Sequence, residues 1–453
     1  MVKSKGKIGL EIHAYLVTDE KLFCKCINSR EKGLKKNVNI CPICTGQPGA
    51  KPMRPNEEAV KKAIAIGLML GCKINHKLKW QRKHYEWPDM PKGYQNTISG
   101  EKAIPVGIEG KFNGIGIWSM HLEEDPASWD PKSGCVDYNR SGLPLVEIVT
   151  APDFKSSEEV MAWLKKLIHS LAYLKAVDSN AGIKADVNVN IPGKTERVEI
   201  KNISSIEDIG KAIEYEINRQ LSEGSERETR RFDSVKGKTI RMRGKEEAAD
   251  YRFITDPDLV DIVIDKKIVS EIEKNLPESP EEKLNKLVKK YKIDKENAEI
   301  LAKNIDIVEF FENIVKKVDA KFALPWITVE LMRFLNYNKI TLDDVEMKVE
   351  HFVRLLKLVK NGKITELQGK KILDKFYPKS FDPSKNVKEK ISDSGELEKT
   401  IKKVISENKN AVEDYKKGEK KSFNYLMGQV MKSTERRADF KVASKVLKKL
   451  LED

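Results

Sequence analysis

Seven acidic and imidazole side chains in the first half of the chain are candidates for a shared metal site. They are Glu11, His13, His121, Glu123, Glu124, Asp125 and Asp186. Carboxylates with one neutral imidazole suit a hard cation such as Mg²⁺, which prefers oxygen ligands and keeps waters that phosphate oxygens can replace. Taken singly, each residue is more often a surface group or an ordinary hydrogen-bonding side chain.

Cysteines form a second candidate site. The pattern CxC, a gap of fourteen residues and then CPxC is made by Cys24, Cys26, Cys41 and Cys44. Two closely spaced thiolate pairs can complete a tetrahedron around Zn²⁺, which favours a structural zinc loop over residues 24–44. Reduced, unliganded thiols are the main alternative, and a redox role is a lesser one. The isolated Cys72 and Cys135 are expected to be small packing residues.

Cations and aromatic side chains alternate in a third stretch, residues 79–100. Its members are Lys79, Trp80, Arg82, Lys83, Tyr85, Trp87, Lys92 and Tyr94. Such a mixture can stack bases and neutralise phosphates, and it also occurs where aromatic packing meets solvent. Two prolines and glycine predict a loop or edge segment rather than a buried helix.

Three strands would have to position these groups. In KIGLEIHAYL, alternation puts Glu11 and His13 on the face opposite the apolar residues. In GIKADVNVNI, one face is wholly apolar, and the other carries Lys184, Asp186, Asn188 and Asn190. In IWSMHLEED, Glu124 is predicted to share a face with Trp118, Met120 and Leu122, where a carboxylate needs a partner or a metal.

Composition predicts a soluble, cytoplasmic protein. No apolar run approaches the roughly 20 residues that cross a bilayer, and the N-terminus shows no secretory signal. The net charge of +14 suggests a polyanionic partner, although a surface simply solvated by lysine and glutamate gives the same excess.

Domain organisation changes near Pro277 and Pro280. The chain before them has a mixed pattern of strands and helices, whereas the chain after them is almost wholly helical in pattern. A second break at FYPKSFDPSKN precedes a basic tail, residues 395–453, with 15 Lys and Arg against 10 Asp and Glu. That tail is either a tRNA-binding module or a helical segment with a solvated face.

Resemblance to a known family goes further than these patterns, since no GxxxxGK[ST] loop or dinucleotide-binding glycine fingerprint is present. Long colinear blocks closely resemble the B subunits of aspartyl/glutamyl-tRNA amidotransferases, and the similarity covers essentially the whole chain. They include IGLEIHAYL, RKHYEWPDMPKGYQ, MHLEEDPAS, VDYNRSGLPLVEIVTAPDF, ETRRFDSVKGKTIRMR and ADYRFITDPDL.

The resemblance implies an α+β protein with three parts. These are a cradle-like mixed-sheet catalytic domain at 1–277, a helical domain at 278–380 and a small all-α, YqeY-like tail at 395–453. It further implies ATP-dependent phosphorylation of the side-chain carboxylate of Glu or Asp misacylated on tRNA. Ammonia from an amidase-type glutaminase, the A subunit of the complex, then displaces the phosphate to give Gln-tRNA or Asn-tRNA. A small C subunit completes the complex.

Site residues follow from the same motifs. Mg²⁺ would be surrounded by Glu11, His13, Glu124 and Asp186. The ammonia passage would meet the kinase pocket at Lys83, Tyr85 and Lys92. ATP contacts would be made by Glu123, Lys184 and Asn188. The commoner bacterial pattern carries arginine and cysteine where Lys184 and Ala185 stand, and a lysine in place of arginine weakens the case for a bidentate phosphate clamp.

Two rival interpretations remain. One is the E subunit of an archaeal Glu-tRNA amidotransferase, whose large synthetase-like insertion this chain lacks. The other is a nonenzymatic tRNA-binding scaffold stabilised by zinc. The sequence does not distinguish Glu-tRNA from Asp-tRNA as substrate.

Overall fold

The computed structural model describes residues 6–31, 33–178, 182–244, 251–385, 391 and 393–452. The start of the N-terminal segment, at residues 1–5, and two residues of the ADYRFITDPDL block, 249 and 250, lie outside these ranges. The chain forms two compact units, Met1–Ser279 and Pro280–Asp453. The first unit therefore ends within the NLPESP segment that the sequence singles out.

Strands are confined to the first unit in the described part of the chain. They are β1 (Lys7–Tyr15), β2 (Lys73–Ile74), β3 (Lys77–Leu78), β4 (Gln81–His84), β5 (Tyr94–Thr97), β6 (Gly107–Phe112), β7 (Ile115–Glu124), β8 (Ser128–Trp129), β9 (Val136–Asp137), β10 (Pro144–Thr150), β11 (Lys184–Asn190), β12 (Val198–Ile203), β13 (Glu228–Asp233), β14 (Lys238–Gly244), β15 (Arg252–Thr255) and β16 (Ile262–Val263).

Twelve of these strands form one mixed sheet. Its main path runs β14-β13-β12-β11-β1-β10-β7-β5-β4-β15, with β6 on β7 and β2 on β6. The β12–β13 pair is parallel, and the other pairs described in this sheet are antiparallel. The cation-rich stretch at 79–100 supplies β4 and β5, which pair with each other towards one end of the path.

Alternation along the central strands separates a core face from a polar face, as predicted for β1 and β11. Ile8, Leu10 and Ile12 are almost completely buried, and so are Val187 and Val189 across from them. Their neighbours in sequence project from the other side of the pleat. The polar face of β1, β10, β11 and β12 therefore collects the charged side chains.

Helices of the first unit pack on the core face. They are α1 (Glu57–Met69), α2 (Ser157–Tyr173), α3 (Ile206–Glu223) and α4 (Lys266–Lys274). Ser156 and Ser205 accept hydrogen bonds from the third backbone N–H of the helix that follows, which fixes where α2 and α3 begin. Trp163 and Ile209 join the same hydrophobic cluster as the strand residues.

One irregularity in β7 changes which side chains share a face. In the pairing with β10, Ser119 lies opposite Val149 and Ile117 opposite Thr150, so Trp118 is an extra residue. Trp118 is 61% exposed, whereas Met120 and Leu122 are completely buried. The predicted common face of Trp118 with these two residues is therefore wrong, because the bulge reverses the alternation at that point.

The second unit is helical in the described residues. Its helices are α5 (Pro280–Tyr291), α6 (Lys295–Ala302), α7 (Ile305–Val315), α8 (Ala320–Pro325), α9 (Met332–Asn338), α10 (Val349–Lys360), α11 (Glu366–Asp374), α12 (Ser394–Glu407), α13 (Lys409–Lys416), α14 (Lys420–Ser433) and α15 (Phe440–Glu452), with a π-helical turn at Trp326–Leu331 and a 3₁₀ turn at Pro383–Lys385.

Two separate hydrophobic clusters lie in this unit. One spans Leu287 to Phe376, and the other spans Ile391 to Leu451. The division of this unit into a helical domain at 278–380 and a tail at 395–453 stays a prediction. The mixed α+β class is confirmed, and none of the helices described is both long and apolar enough to cross a membrane.

Candidate active site and metal centres

Four neighbouring strands bring acidic groups together on the polar face. Glu11 lies opposite Asp186 of β11, while His13 lies opposite Glu147 of β10. Glu123 follows on β7, opposite Leu145. The groups surround a cavity of about 130 Å³, here called the acid cavity, which is lined by Glu11, His13, Lys83, Thr97, Ser99, Gly100, Glu123, Glu147, Asp186, Lys201 and Phe253.

One candidate ligand set on this cavity consists of His13, Glu123 and Glu147. The Nε2 atom of His13 is 3.7 Å from Oε1 of Glu123 and 3.8 Å from Oε1 of Glu147. Each residue offers one ligand atom within 4.8 Å of the other two. Both glutamates are buried and His13 is partly exposed, so an ion here would be reached from the cavity.

A second set consists of Glu11, Asp186 and Glu199, and two of its acids already pair with the ammonium group of a lysine, Lys201. The Nζ atom of Lys201 is 2.6 Å from both Asp186 Oδ2 and Glu199 Oε1. The backbone N–H of Asn202 donates to the other oxygen of Asp186 at 2.7 Å. Among the described residues, no lysine or arginine forms an ion pair with Glu123 or Glu147. The first set is therefore the better cation site.

The pKa shifts show the same accumulation of negative charge. Burial and the neighbouring carboxylate of Glu147 raise the pKa of Glu123 to about 7. Burial and Glu147 also raise the pKa of Glu11. Burial opposes the charge on Lys201, but Asp186 and Glu199 raise its pKa overall. A bound cation would relieve this repulsion, and oxygen ligands with one imidazole fit Mg²⁺.

Glu124 does not join these ligand sets, although the sequence groups it with Glu11 and His13. Successive residues of a strand point to opposite faces, so Glu123 takes the polar face and Glu124 the core face. There Glu124 is 4% exposed and forms an ion pair with Lys92. The backbone N–H of Asn96 donates to the same carboxylate at 2.8 Å. The carboxylate thus has the partner that its position requires, and that partner is a lysine.

Other predicted residues lie at the margins of the cavity. Lys83 lines it, with Nζ 4.7 Å from the centre of the Tyr251 ring. The ring of Tyr85 packs edge-on against Tyr251, and burial together with Asp89 raises the pKa of Tyr85. Asn188 donates to Glu11 Oε1 at 3.1 Å and so orients that carboxylate.

Lys184, Asp125 and His121 lie in different surroundings. Burial lowers the pKa of Lys184, against the attraction of Asp125. Asp125 accepts a hydrogen bond from the hydroxyl of Tyr15 and pairs with Arg140 at 3.0 Å. His121 is buried, and its ring nitrogens bond Ser119 and the Ile98 carbonyl. For His121 the ordinary hydrogen-bonded alternative is the better description.

Sequence reasoning missed two acids of these ligand sets, Glu147 and Glu199, and the cavity-lining Lys201. Glu147 is the one charged residue in the strand PLVEIVT, and an isolated acid in an apolar strand is a usable signal. Glu199 and Lys201 alternate with buried Val198 and Ile200 in β12, which is the pattern already recognised in β11.

The cysteine cluster is compact, and its thiols are free of disulfides. Sγ of Cys44 is 3.8 Å from that of Cys41 and 4.0 Å from that of Cys26, and all four sulfurs lie within 4.8 Å of one another. Zinc–sulfur bonds of about 2.3 Å in a tetrahedron place sulfurs about 3.8 Å apart. The donor set therefore fits a tetrahedral zinc ion. The Cys24 hydrogen bond and nearby Lys21 lower the pKa of Cys44 to about 5, although burial opposes them.

Comparison with known proteins identifies the family. A model of the GatB/GatE catalytic domain matches residues 6–270, and a model of the GatB domain of YqeY type matches residues 309–451. Relatives named as B subunits of aspartyl/glutamyl-tRNA(Asn/Gln) amidotransferase include that of Methanocaldococcus jannaschii, 44% identical over 99% of this chain and 98% of its own length.

Similar proteins of that name come from Methanopyrus kandleri, at 41% identity, and Methanobrevibacter smithii, at 42%. Each is covered over at least 98% of both chains. Eight of the matching relatives, these three among them, carry the B-subunit name, so the E-subunit alternative is not favoured. The chain belongs to the family of aspartyl/glutamyl-tRNA(Asn/Gln) amidotransferase B subunits.

Proposed function

We propose that this chain catalyses ATP-dependent amidation of Glu or Asp misacylated on tRNA. The γ-phosphate of ATP is transferred to the side-chain carboxylate, and ammonia then displaces inorganic phosphate to leave Gln-tRNA or Asn-tRNA. The observation that carries the proposal is the acid cavity, with His13, Glu123 and Glu147 converging within the matched catalytic domain.

Activation is needed because a carboxylate resists attack by ammonia. Its negative charge repels the nucleophile's lone pair, and an oxide is a poor leaving group. Mg²⁺ held by His13, Glu123 and Glu147 would neutralise phosphate charge during transfer. Lys83 lines the same cavity and can stabilise the oxyanion that forms when ammonia adds.

ATP would reach the acid cavity with its phosphates only. The cavity volume of about 130 Å³ is well below the roughly 300 to 1,000 Å³ of pockets that enclose drug-sized ligands. Glu123 is proposed to bind the metal ion directly. Asn188 is proposed to support the site indirectly, by orienting the carboxylate of Glu11. Lys184 stays a proposed nucleotide contact, placed on the polar face beside His13 of the neighbouring strand.

Ammonia is proposed to enter from the side of the sheet that carries Glu124 and to meet the acid cavity near Lys83, which lines it. Glu124 and Lys92 form a buried ion pair there, and Lys92 also lies 5.1 Å from the centre of the Tyr94 ring. Burial and the charge of Asp89 raise the pKa of Tyr85 most, and the nearby charges of Glu123 and Glu124 raise it further. Tyr85, Lys83 and Lys92 are therefore proposed to border the route by which ammonia enters.

Partners and localisation are proposed on the basis of the family. An amidase-type glutaminase, the A subunit, would supply ammonia, and a small C subunit would complete a heterotrimer in the cytoplasm. The basic residues of the tail at 395–453 are proposed to bind the tRNA body. The cysteine cluster is proposed to hold structural zinc, because its sulfur spacing matches a tetrahedral site.

The decisive test follows the phosphate. Labelled ATP is incubated with the complex and Glu-tRNA or Asp-tRNA, and acyl phosphate formation is measured before ammonia is added. We expect label transfer that depends on misacylated tRNA, followed by amide formation with free ammonium. A scaffold would bind the tRNA without transferring label, which would exclude the enzymatic proposal.

A further inference from the structure

Lys21 is a completely buried lysine beside the cysteine cluster. Its exposed fraction is 1%, one of the lowest values for any charged side chain described. Its Nζ atom donates to Sγ of Cys44 at 3.6 Å and to the carbonyl oxygen of Tyr138 at 3.2 Å. In the part of the chain that the structure describes, no carboxylate forms an ion pair with this nitrogen.

Such a position is costly for an ammonium group without an anionic partner. Removing an unpaired charge from water costs several kcal/mol or more, so buried lysines are paired or lose their proton. The Tyr138 carbonyl supplies a dipole and no net charge. The sulfur atoms are therefore the anionic groups that can compensate Lys21.

Charge balance at the metal leads to the same pairing. Four thiolates around Zn²⁺ carry a net charge of −2, and sulfur atoms bearing such charge are stabilised by N–H donors. The backbone N–H of Cys41 donates to Cys44 Sγ at 3.2 Å. Lys21 adds a donor that also carries a full positive charge, which reduces the net charge of the buried group to −1.

The backbone around Lys21 holds this contact in place. Its own N–H donates to the carbonyl of Cys26 at 2.9 Å, so the lysine is anchored to the first cysteine pair. Ser141 donates to the carbonyl of Cys44 at 2.7 Å, which ties the second pair to the loop that follows Tyr138. Lys21 thus joins both halves of the cluster to the segment leading into β10.

We propose that Lys21 is a built-in counter-cation of the cysteine metal site, and that its ammonium group stabilises the metal-bound thiolate of Cys44. The inference rests on the proposed binding of zinc. Lys21 is a positioning residue that acts on the metal through Cys44. Its role is retention of the ion and not phosphate transfer.

The test compares Lys21→Met with the full-length wild-type chain. Methionine is similar in length and apolar, so it removes the charge and both hydrogen bonds. Zinc content is measured in freshly purified, reduced protein, and zinc release is followed after addition of excess chelator. We expect Lys21→Met to release zinc about 10- to 100-fold faster, the usual cost of losing a group that supports a metal ligand.

Two further variants separate charge from local structure. Lys25→Met is the matched control, because Lys25 lies on the same loop, its side chain is 69% exposed and it pairs with Glu20. It should release zinc at the wild-type rate. Lys21→Gln keeps a donor for the Tyr138 carbonyl but removes the charge, and it stands in if Lys21→Met does not fold. It should also release zinc faster.

Cobalt-substituted protein gives a readout that general destabilisation does not produce. Loss of the ammonium contact should shift the sulfur-to-cobalt charge-transfer absorption of folded Lys21→Gln. Zinc-loaded Lys21 variants with wild-type release and an unchanged cobalt spectrum would overturn the counter-cation role alone. A wild-type chain without zinc would overturn the zinc proposal, and this inference with it.

Discussion

The acid cavity and the cysteine cluster are both candidate metal sites, but they are assembled differently. The cysteine ligands lie within residues 24–44, and the spacing of their sulfurs fits a tetrahedral metal site. The cavity ligands come from β1, β7, β10, β11 and β12, and two of the acids are already held by Lys201. Local spacing defines the first site, whereas strand register defines the second.

The largest effect is expected at Glu123. Replacing it with Gln removes a charged ligand and keeps the shape of the side chain. The rate of phosphate transfer to Glu-tRNA should therefore fall about a hundredfold or more, where each factor of ten in rate corresponds to about 1.4 kcal/mol of transition-state stabilisation. Glu124→Gln is the matched control, because it alters the adjacent residue on the other face. The rate of phosphorylation by Glu124→Gln should stay within about tenfold of the wild-type rate, and amide formation should fall instead.

Measuring acyl phosphate and amide separately in the two variants tests this assignment. Loss of phosphorylation in Glu124→Gln with near-normal phosphorylation in Glu123→Gln would return Glu124 to the metal site, as the family resemblance implied. Basal glutamine hydrolysis in the glutaminase partner should be unchanged in both.

The cysteine cluster should affect stability more than chemistry. Cys41→Ser removes one of four zinc ligands, and we expect the free energy of unfolding to fall by ~3 kcal/mol or more. Thermal unfolding and zinc content are measured on the same samples. Cys135→Ser is the control, since Cys135 is exposed and outside the cluster. An unchanged melting temperature in Cys41→Ser would argue for unliganded thiols.

Proton competition should weaken metal binding at the acid cavity below neutral pH. The pKa of Glu123 is raised to about 7 by burial and Glu147, so protons occupy this ligand as the pH falls. Metal affinity should therefore rise with pH and level off above about 7, with at most about a tenfold loss per unit below that value. Titrating Mn²⁺ binding by electron paramagnetic resonance across this range measures it. Glu123→Gln should flatten the profile, and a flat wild-type profile would remove Glu123 as a ligand.

The smallest effect is expected when Lys201 is replaced. Lys201→Gln removes the cation shared by Asp186 and Glu199, so the second acidic set becomes free to bind metal. A second, weaker Mn²⁺ site should then be detected in the same titration. Arg219→Gln serves as a control for loss of a buried cation, since Arg219 pairs with Glu216 and Glu228 outside the cavity lining. No additional Mn²⁺ in Lys201→Gln would mean that the second set cannot hold a metal.

Sequence patterns predicted what depends on local periodicity. The faces of β1 and β11 follow from alternation, and the helical second unit follows from its amphipathic repeats. The partnership of Glu123 with His13 did not follow, because it requires β10 to lie between β1 and β7. Alternation in IWSMHLEED placed Glu124 on the face of Met120 and Leu122, but only the pairing of β7 with β10 shows that Glu123 faces the cavity.

Strand length between Trp118 and Glu124 has an evolutionary consequence. The extra residue at the bulge decides which side chains of β7 point to which face of the sheet. A single deletion between Ser119 and Leu122 would therefore turn Glu123 to the core face and Glu124 to the polar face. Length changes there could persist only in pairs or together with loss of the bulge. Insertions among relatives should therefore collect in the turns flanking β7, and the spacing of the two acids from the bulge should be invariant.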